Sequence, residues 1–160
     1  MAKSFRRIVT AHNEKGESVV ASDDTLTPQL IDTGDAEFQV VWLTPTVPPD
    51  LNAGTDGELE TNRTLRGGSI MRIVELVPGG QSPMHRTRSI DYGIVLWGTL
   101  ELELDGGEVV TLGAGDTVVQ RGTMHLWRNP SSDTPCRIAI VLIESKPIEV
   151  CGRVLEEPNP

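Results

Sequence analysis

The sequence predicts an all-β fold: one domain, built as a β-barrel with an N-terminal strand extension. Three observations carry that prediction. Short segments rich in Val, Ile, Leu and Thr recur at a spacing of about 8–12 residues. Sixteen glycines and eleven prolines punctuate them. Nowhere does an apolar 3,4-period persist long enough for an amphipathic helix.

Taken in order, Phe5 to Ala11 reads as a strand, Asn13 to Gly16 as a turn, and Ser18 to Ala21 as the returning strand of a hairpin. Residues 22–37 are polar apart from Leu30 and Ile31, and are expected to be irregular. Phe38 to Leu43 is a strand that Pro45, Pro48 and Pro49 stop. From Pro45 to Gly67 the composition turns to Pro, Asn, Gly, Asp, Thr and Glu, the pattern of a flexible loop or a lid. Beyond Gly68 the strands crowd together: Ile70 to Val77, Ser89 to Trp97, Thr99 to Leu104, Glu108 to Leu112, Asp116 to Gln120, Met124 to Arg128 and Arg137 to Glu144. Asp105, Gly106 and Gly107 are hairpin chemistry, and Pro78, Gly79 and Gly80 mark a reversal. Leu100 to Leu104 alternates apolar with acidic, as a sheet wet on one side does. The organisation is therefore residues 1–66 as strands and a loop that complete or decorate the barrel, 67–145 as its core, and 146–160 as a C-terminal tail.

Fourteen Lys and Arg against 23 Asp and Glu leave a formal charge of -9, the wrong sign for collecting phosphate backbones, so nucleic acid is not expected as a partner. No apolar run approaches the roughly 20 residues of a membrane helix, and the N-terminal residues lack the apolar stretch of a secretory signal. A cytoplasmic protein with Cys136 and Cys151 as reduced thiols is the expectation.

The three histidines stand at 12, 85 and 125. His12 ends the first strand and is expected in solvent. If residues 85–91 run extended, His85, Thr87 and Asp91 share one face while Arg86 and Arg88 point away. His125 lies near a turn on a later strand. A histidine beside a carboxylate makes a general base near neutral pH. With no chemistry at all, the same residues would be a hydrogen-bonded barrel pair. Arg72, among Ile70, Met71, Ile73 and Val74, is either an interior clamp for a substrate carboxylate or an outward charge. Tyr92 either donates a proton or packs a core. Gln120 and Arg121 are placed to line a cavity mouth. Trp127 shares the parity of His125.

Two segments together resemble the paired motifs of the cupins, small β-barrels of jelly-roll topology. Gly79, His85, Asp91 and Gly98 stand at the spacing of the first motif, with Thr87 in place of its second His and Asp91 in place of its Glu. Gly122, His125 and Asn129 match the second motif, with Gln120 at its proline position and one residue fewer after Gly115. The resemblance covers residues 68 to 145 and implies a cupin barrel. It implies one divalent metal, Zn, Fe, Mn or Ni, on His85, Asp91 and His125, a two-imidazole, one-carboxylate set. It also implies a homodimer, in which the strand Phe5 to Ala11 pairs with the neighbouring subunit's sheet.

The function expected is a small cupin enzyme: a metal-assisted lyase or isomerase acting by dehydration, decarboxylation or proton transfer on a small carbonyl or carboxylate metabolite. The catalytic residues are expected to be His85, Asp91 and His125, with Arg72, Thr87, Tyr92, Gln120 and Trp127 contacting substrate. An Fe(II) dioxygenase on the same triad, or a non-catalytic barrel that binds a small molecule, are the alternatives.

Overall fold

A computed structural model describes residues 3–52 and 67–158. All its regular elements are strands: β1 (Phe5–His12), β2 (Ser18–Leu26), β3 (Gln29–Leu30), β4 (Ala36–Thr44), β5 (Ser69–Leu76), β6 (Ser89–Trp97), β7 (Thr99–Leu104), β8 (Val109–Gly113), β9 (Thr117–Gln120), β10 (His125–Arg128), β11 (Cys136–Glu144), β12 (Glu149–Val150) and β13 (Arg153–Val154). A six-stranded sheet of order β3-β4-β5-β11-β6-β9 faces a three-stranded sheet of order β10-β7-β8, in the jelly-roll arrangement of a cupin. Val74, Leu76, Val95, Cys136 and Ile138 from the larger sheet pack with Leu100 and Leu112 from the smaller one into the core. No helix among the described residues is long and apolar enough to cross a membrane.

The segment after β5 joins the two sheets. Gln81 bridges to Arg128 and His85 to His125, so this stretch runs antiparallel to β10 and ties it to β6. Gly98 makes the tight β6–β7 passage. Its φ is +78°, and a Cβ there would stand 2.6 Å from the Pro135 carbonyl oxygen, so only glycine fits.

The predicted strands from Ser69 onward stand within a residue or so of the observed ones. The N-terminal third differs more: within residues 22–37, expected to be irregular, lie the end of β2, the short β3 and the first two residues of β4. β2 continues to Leu26 through Asp23, Asp24 and Thr25, residues expected to be irregular. They hold strand geometry because Arg6 and Arg7 on β1 answer them: Arg6 donates from Nε to Asp23 at 2.7 Å, and Arg7 grips Asp24 with bonds of 3.0 and 2.6 Å. A polar run reads as a loop until its cross-strand partner is known. Residues 53–66, most of the expected flexible loop or lid, lie outside the described residues.

β5 and β11, paired at the centre of the large sheet, are covered on both faces. Arg72, Val74 and Leu76 face the barrel interior, while Ile73 and Glu75 face outward yet are buried. On that outer face Arg137 and Glu75 are register partners joined at 2.8 Å, with the Arg137 guanidinium 3.9 Å from the Trp97 ring centroid and donating to the Lys3 carbonyl. Arg7 donates to the Val41 carbonyl at the β4 bulge, a second tie of the β1–β2 hairpin to the sheet. Removing one member of a buried ion pair strands the other, so Arg137→Ala is expected to destabilise the fold by about 3–5 kcal/mol. Urea denaturation checks this against Arg137→Met combined with Glu75→Leu, which is expected to recover most of the loss.

Candidate active site

The site begins with a backbone arrangement. The His85 N–H donates to the His125 carbonyl and the His125 N–H to the His85 carbonyl, both at 2.8 Å. This reciprocal pair fixes the two Cα atoms across the junction of the sheets and sets the imidazoles side by side, ring centroids 4.4 Å apart and tilted by 46°. Each ring is oriented the same way: Nδ1 of His85 donates to the Pro83 carbonyl at 2.8 Å, and Nδ1 of His125 to the Thr123 carbonyl at 2.9 Å. Using Nδ1–H on a carbonyl selects the tautomer whose Nε2 carries the lone pair. Both residues therefore leave an Nε2 lone pair free of that bond, and both line one cavity. His125 is 2% exposed, and burial pushes its pKa down to about 4, against the raising effect of the Thr123 carbonyl. At neutral pH its ring is uncharged.

The Thr123 carbonyl is itself held. Gln120, buried at the end of β9, accepts hydrogen bonds at Oε1 from the Thr123 N–H and hydroxyl, which closes the turn into β10. Trp127 lies edge-on to His125, centroids 5.4 Å apart, with its backbone N–H on the Ser82 hydroxyl.

Asp91 stands on β6 with Ser89 donating to Oδ1 and Thr87 donating to Oδ2 at 3.4 Å. Burial raises its pKa, opposed by these hydroxyls and by Arg72 and His85. Arg72 on β5 is buried, lines the same cavity and sits 5.9 Å above the Phe38 ring. Burial lowers its pKa and the Asp91 charge opposes that. Arg72 thus takes the interior alternative.

The cavity, about 380 Å³, is walled by Phe38, Val74, Trp127, Ile138 and Ile140 together with the polar groups above. Of the expected site residues, His85, Asp91, His125, Arg72, Thr87 and Trp127 all line it. Tyr92 does not. It alternates with Asp91 to the outer face of β6 and is 46% exposed, so neither the substrate contact nor the core packing expected of it is observed. Gln120 is buried outside the cavity wall and acts on the turn, and Arg121 is exposed. Arg86 and Arg88, expected to point away, also line the cavity, because residues 86–88 are not extended and β6 begins only at Ser89. Unforeseen polar lining residues include Asp35, Ser82, Glu144 and Glu157 of the tail, and Ser89, outside the lining, holds Asp91. Only Ser89 had a usable signal, the parity it shares with Asp91.

The expected metal triad is only half assembled. Two imidazoles present Nε2, but the Asp91 oxygens are engaged by Ser89 and Thr87. Among the described residues no group of three or more His, Cys, Asp or Glu is arranged to hold a metal ion. The two imidazoles are the adjacent donors that could hold a metal, and Asp91 lines the same cavity with its oxygens on the Ser89 and Thr87 hydroxyls.

Comparison with known proteins agrees with this architecture. The Cupin domain family (Cupin_2) matches residues 72–143, from Arg72 on β5 to Ile143 on β11. Phomopsin biosynthesis cluster protein C' of Diaporthe leptostromiformis is 45% identical over 158 residues, spanning 93% of this chain and 83% of that protein. The cupin-domain-containing oxidoreductase fogC of Aspergillus ruber is 32% identical over 157 residues, spanning 94% of this chain and 77% of that one. In three dimensions KdgF from Halomonas sp. superposes with a TM-score of 0.51 at 21% identity, over 73% of this chain and 86% of that chain, a likeness of fold. The chain belongs to the cupin family.

The neutral state of His125 gives the fold a pH signature. Because its folded pKa lies below the ordinary 6.5, this residue's contribution is complete above pH 6.5 and is lost as pH falls towards 4. The full shift corresponds to about 3 kcal/mol. Asp91 has the opposite sign, its raised pKa favouring the protonated folded state, so it offsets part of the loss. Urea denaturation at about pH 7 and about pH 4.5 is expected to show a smaller difference for His125→Gln than for the wild type.

Proposed function

We propose that this cupin is an enzyme that moves protons on a small carbonyl or carboxylate metabolite held in the barrel, a lyase or isomerase of the dehydrating, decarboxylating or proton-transferring kind. The observation that carries the reading is the paired imidazoles: two adjacent rings, each with Nδ1 spent on a backbone carbonyl and the Nε2 lone pair left free, in the wall of a largely apolar cavity. In this reading a neutral imidazole takes a proton from the carbon beside the substrate carbonyl. Asp91, whose carboxyl burial favours in its protonated form, delivers a proton to the oxygen or the neighbouring carbon. Arg72, close enough to Asp91 to oppose its shift, steadies the negative charge that develops on oxygen. The apolar walls exclude water from that charge.

A divalent ion, Zn, Fe, Mn or Ni, would be held by the two imidazole Nε2 atoms with Asp91 in the same cavity, and would supply Lewis-acid polarisation of the substrate oxygen; in this reading the proton transfers themselves belong to the protein's own groups. A second reading, oxidation with Fe(II), is favoured by one observation: relatives such as that of Aspergillus ruber carry the name oxidoreductase. One experiment separates the two. Wild type, His85→Gln and His125→Gln are incubated in D2O with a panel of small keto acids and ketones, with and without chelator, while deuterium incorporation and oxygen uptake are followed. Exchange by the wild type that survives chelation and falls by about 10²–10⁴ in each variant is expected. Loss of exchange on chelation, restored by one of the four metals, would transfer the chemistry to a metal-assisted site. Oxygen uptake that requires iron would replace proton transfer with oxidation.

The β1–β2 hairpin is hydrogen-bonded to neither main sheet by strand pairing. We propose that it is the element through which two copies form the homodimer, supplying a strand to the neighbouring subunit. Light scattering is expected to give twice the chain mass for the wild type and less for a protein lacking residues 1–17; a monomeric wild type would sink the idea.

A further inference from the structure

The mouth of the cavity narrows the substrate's chemistry. Beyond β11 the chain forms the β12–β13 hairpin and turns back across the end of the barrel. Ile148 seats this hairpin on Gly122, a residue with φ +63° at which a Cβ would stand 2.3 Å from the isoleucine Cδ1. The Leu155 N–H donates to the Ile148 carbonyl and closes the turn at 2.8 Å. Residues 156–158 are thereby delivered to the cavity. The Glu156 carbonyl accepts from Arg86 Nη1 at 3.3 Å, and the Glu157 carboxylate accepts the Arg88 backbone N–H at 2.5 Å. Glu157 and Pro158 line the cavity beside Arg86 and Arg88.

Arg86 and Arg88 each keep a buried Nε that meets no acceptor among the described residues. An N–H shut away from both water and an acceptor is costly, and an anionic ligand relieves it. The Arg88 guanidinium is held from its other side by Glu144 at Nη2, 2.8 Å away, and the Glu157 carboxylate of the chain's own tail stands beside it on the Arg88 backbone N–H, touching neither Nε. Asp35, Asp91 and Glu144 line the same space, so a doubly charged phosphate meets more repulsion there than a singly charged carboxylate.

We propose that the substrate is a carboxylic acid with an apolar body, that its acid group binds at the cavity mouth on the unmet Nε–H groups of Arg86 and Arg88, and that Glu157, held beside them on the Arg88 backbone N–H, competes for this end of the cavity until the substrate displaces it. The inference rests on the reading that this cavity is the substrate site. It deepens that reading by naming the charged end of the substrate and a competitor built into the chain.

The test uses 3-phenylpropionate and its neutral amide as probes, titrated at millimolar concentration and followed by ligand-observed NMR. The acid is expected to bind the wild type about tenfold more tightly than the amide, the difference a charge-assisted contact makes. Glu157→Ala is expected to tighten the acid about threefold to tenfold and leave the amide unchanged. Arg86→Gln is expected to weaken the acid alone, while Arg121→Gln, at an exposed position outside the cavity, alters neither. Equal binding of acid and amide, no acid binding to wild type or Glu157→Ala, or weaker acid binding in Glu157→Ala would each overturn the proposal, the last by showing that the tail caps a bound ligand. The His85→Gln, His125→Gln double variant keeps the two readings distinguishable. Its acid binding is expected to persist while proton exchange is lost, so failure of the acid–base reading leaves the anion site standing, and failure of acid binding leaves the exchange result intact.

Discussion

Two hydrogen bonds between the backbones of His85 and His125 hold the chemistry of this protein in place. They are formed where the larger sheet meets the smaller, by residues that belong to different segments and are neighbours only because the barrel closes. A reciprocal pair in an antiparallel register leaves little freedom in Cα position, and the Nδ1 bonds to the Pro83 and Thr123 carbonyls then leave little in ring orientation. Each ring bonds the carbonyl two residues before it. The two halves of the site are thus built by the same local device, and barrel closure does the rest.

The central strands β5 and β11 serve two separate electrostatic systems on their two faces. Outward, Arg137 and Glu75 form a buried pair stacked on Trp97, whose partners are all satisfied within the chain. Inward, one residue out of phase, Arg72 sits in the cavity wall near Asp91. The same burial that makes the outer pair a fixed structural tie makes the inner arginine and carboxyl adjustable. Their charged forms are disfavoured by burial and restored only in part by each other. That contrast follows from the period of two in a strand: neighbouring residues of similar composition inhabit different environments.

Strand positions from Ser69 to Glu144 were legible in the sequence because apolar alternation and turn glycines act locally, and the cupin resemblance carried by Gly79, His85, Asp91 and Gly98 with Gly122, His125 and Asn129 implied that the two histidine segments share one barrel. What was not legible depended on partners distant in sequence. The polar run Asp23 to Thr25 is a strand because Arg6 and Arg7 answer it. Parity assigned Arg86 and Arg88 to the wrong face because the chain between His85 and Ser89 bends, and nothing in those residue types announces the bend. Tyr92 failed for the converse reason. The strand there is regular, so a residue next to Asp91 had to face the other way. Glu157 lies 66 residues beyond Asp91 and reaches the cavity only because Ile148 finds Gly122. The Thr87 substitution, by contrast, was visible at once, but its consequence needed coordinates.

That consequence concerns how many protons the site holds. Asp91, Thr87 and Ser89 make three mutual contacts: Ser89 with Asp91, Ser89 with Thr87 at 2.9 Å, and Thr87 with Asp91 at 3.4 Å. With Asp91 ionised, two hydroxyl protons must serve three contacts, and one contact is left without a hydrogen. With Asp91 protonated the ring closes, each group donating once and accepting once: carboxyl to Thr87, Thr87 to Ser89, Ser89 back to the other carboxyl oxygen. Burial favours the protonated form of this group, and the Ser89 and Thr87 hydroxyls together with Arg72 and His85 oppose it. An imidazole at position 87 would point a nitrogen lone pair or an N–H at Asp91 and break the ring. The threonine puts a hydroxyl against Asp91 at a position that the cupin resemblance reads as a metal ligand, so the side chain beside the carboxyl is a hydrogen-bond partner instead of a second imidazole.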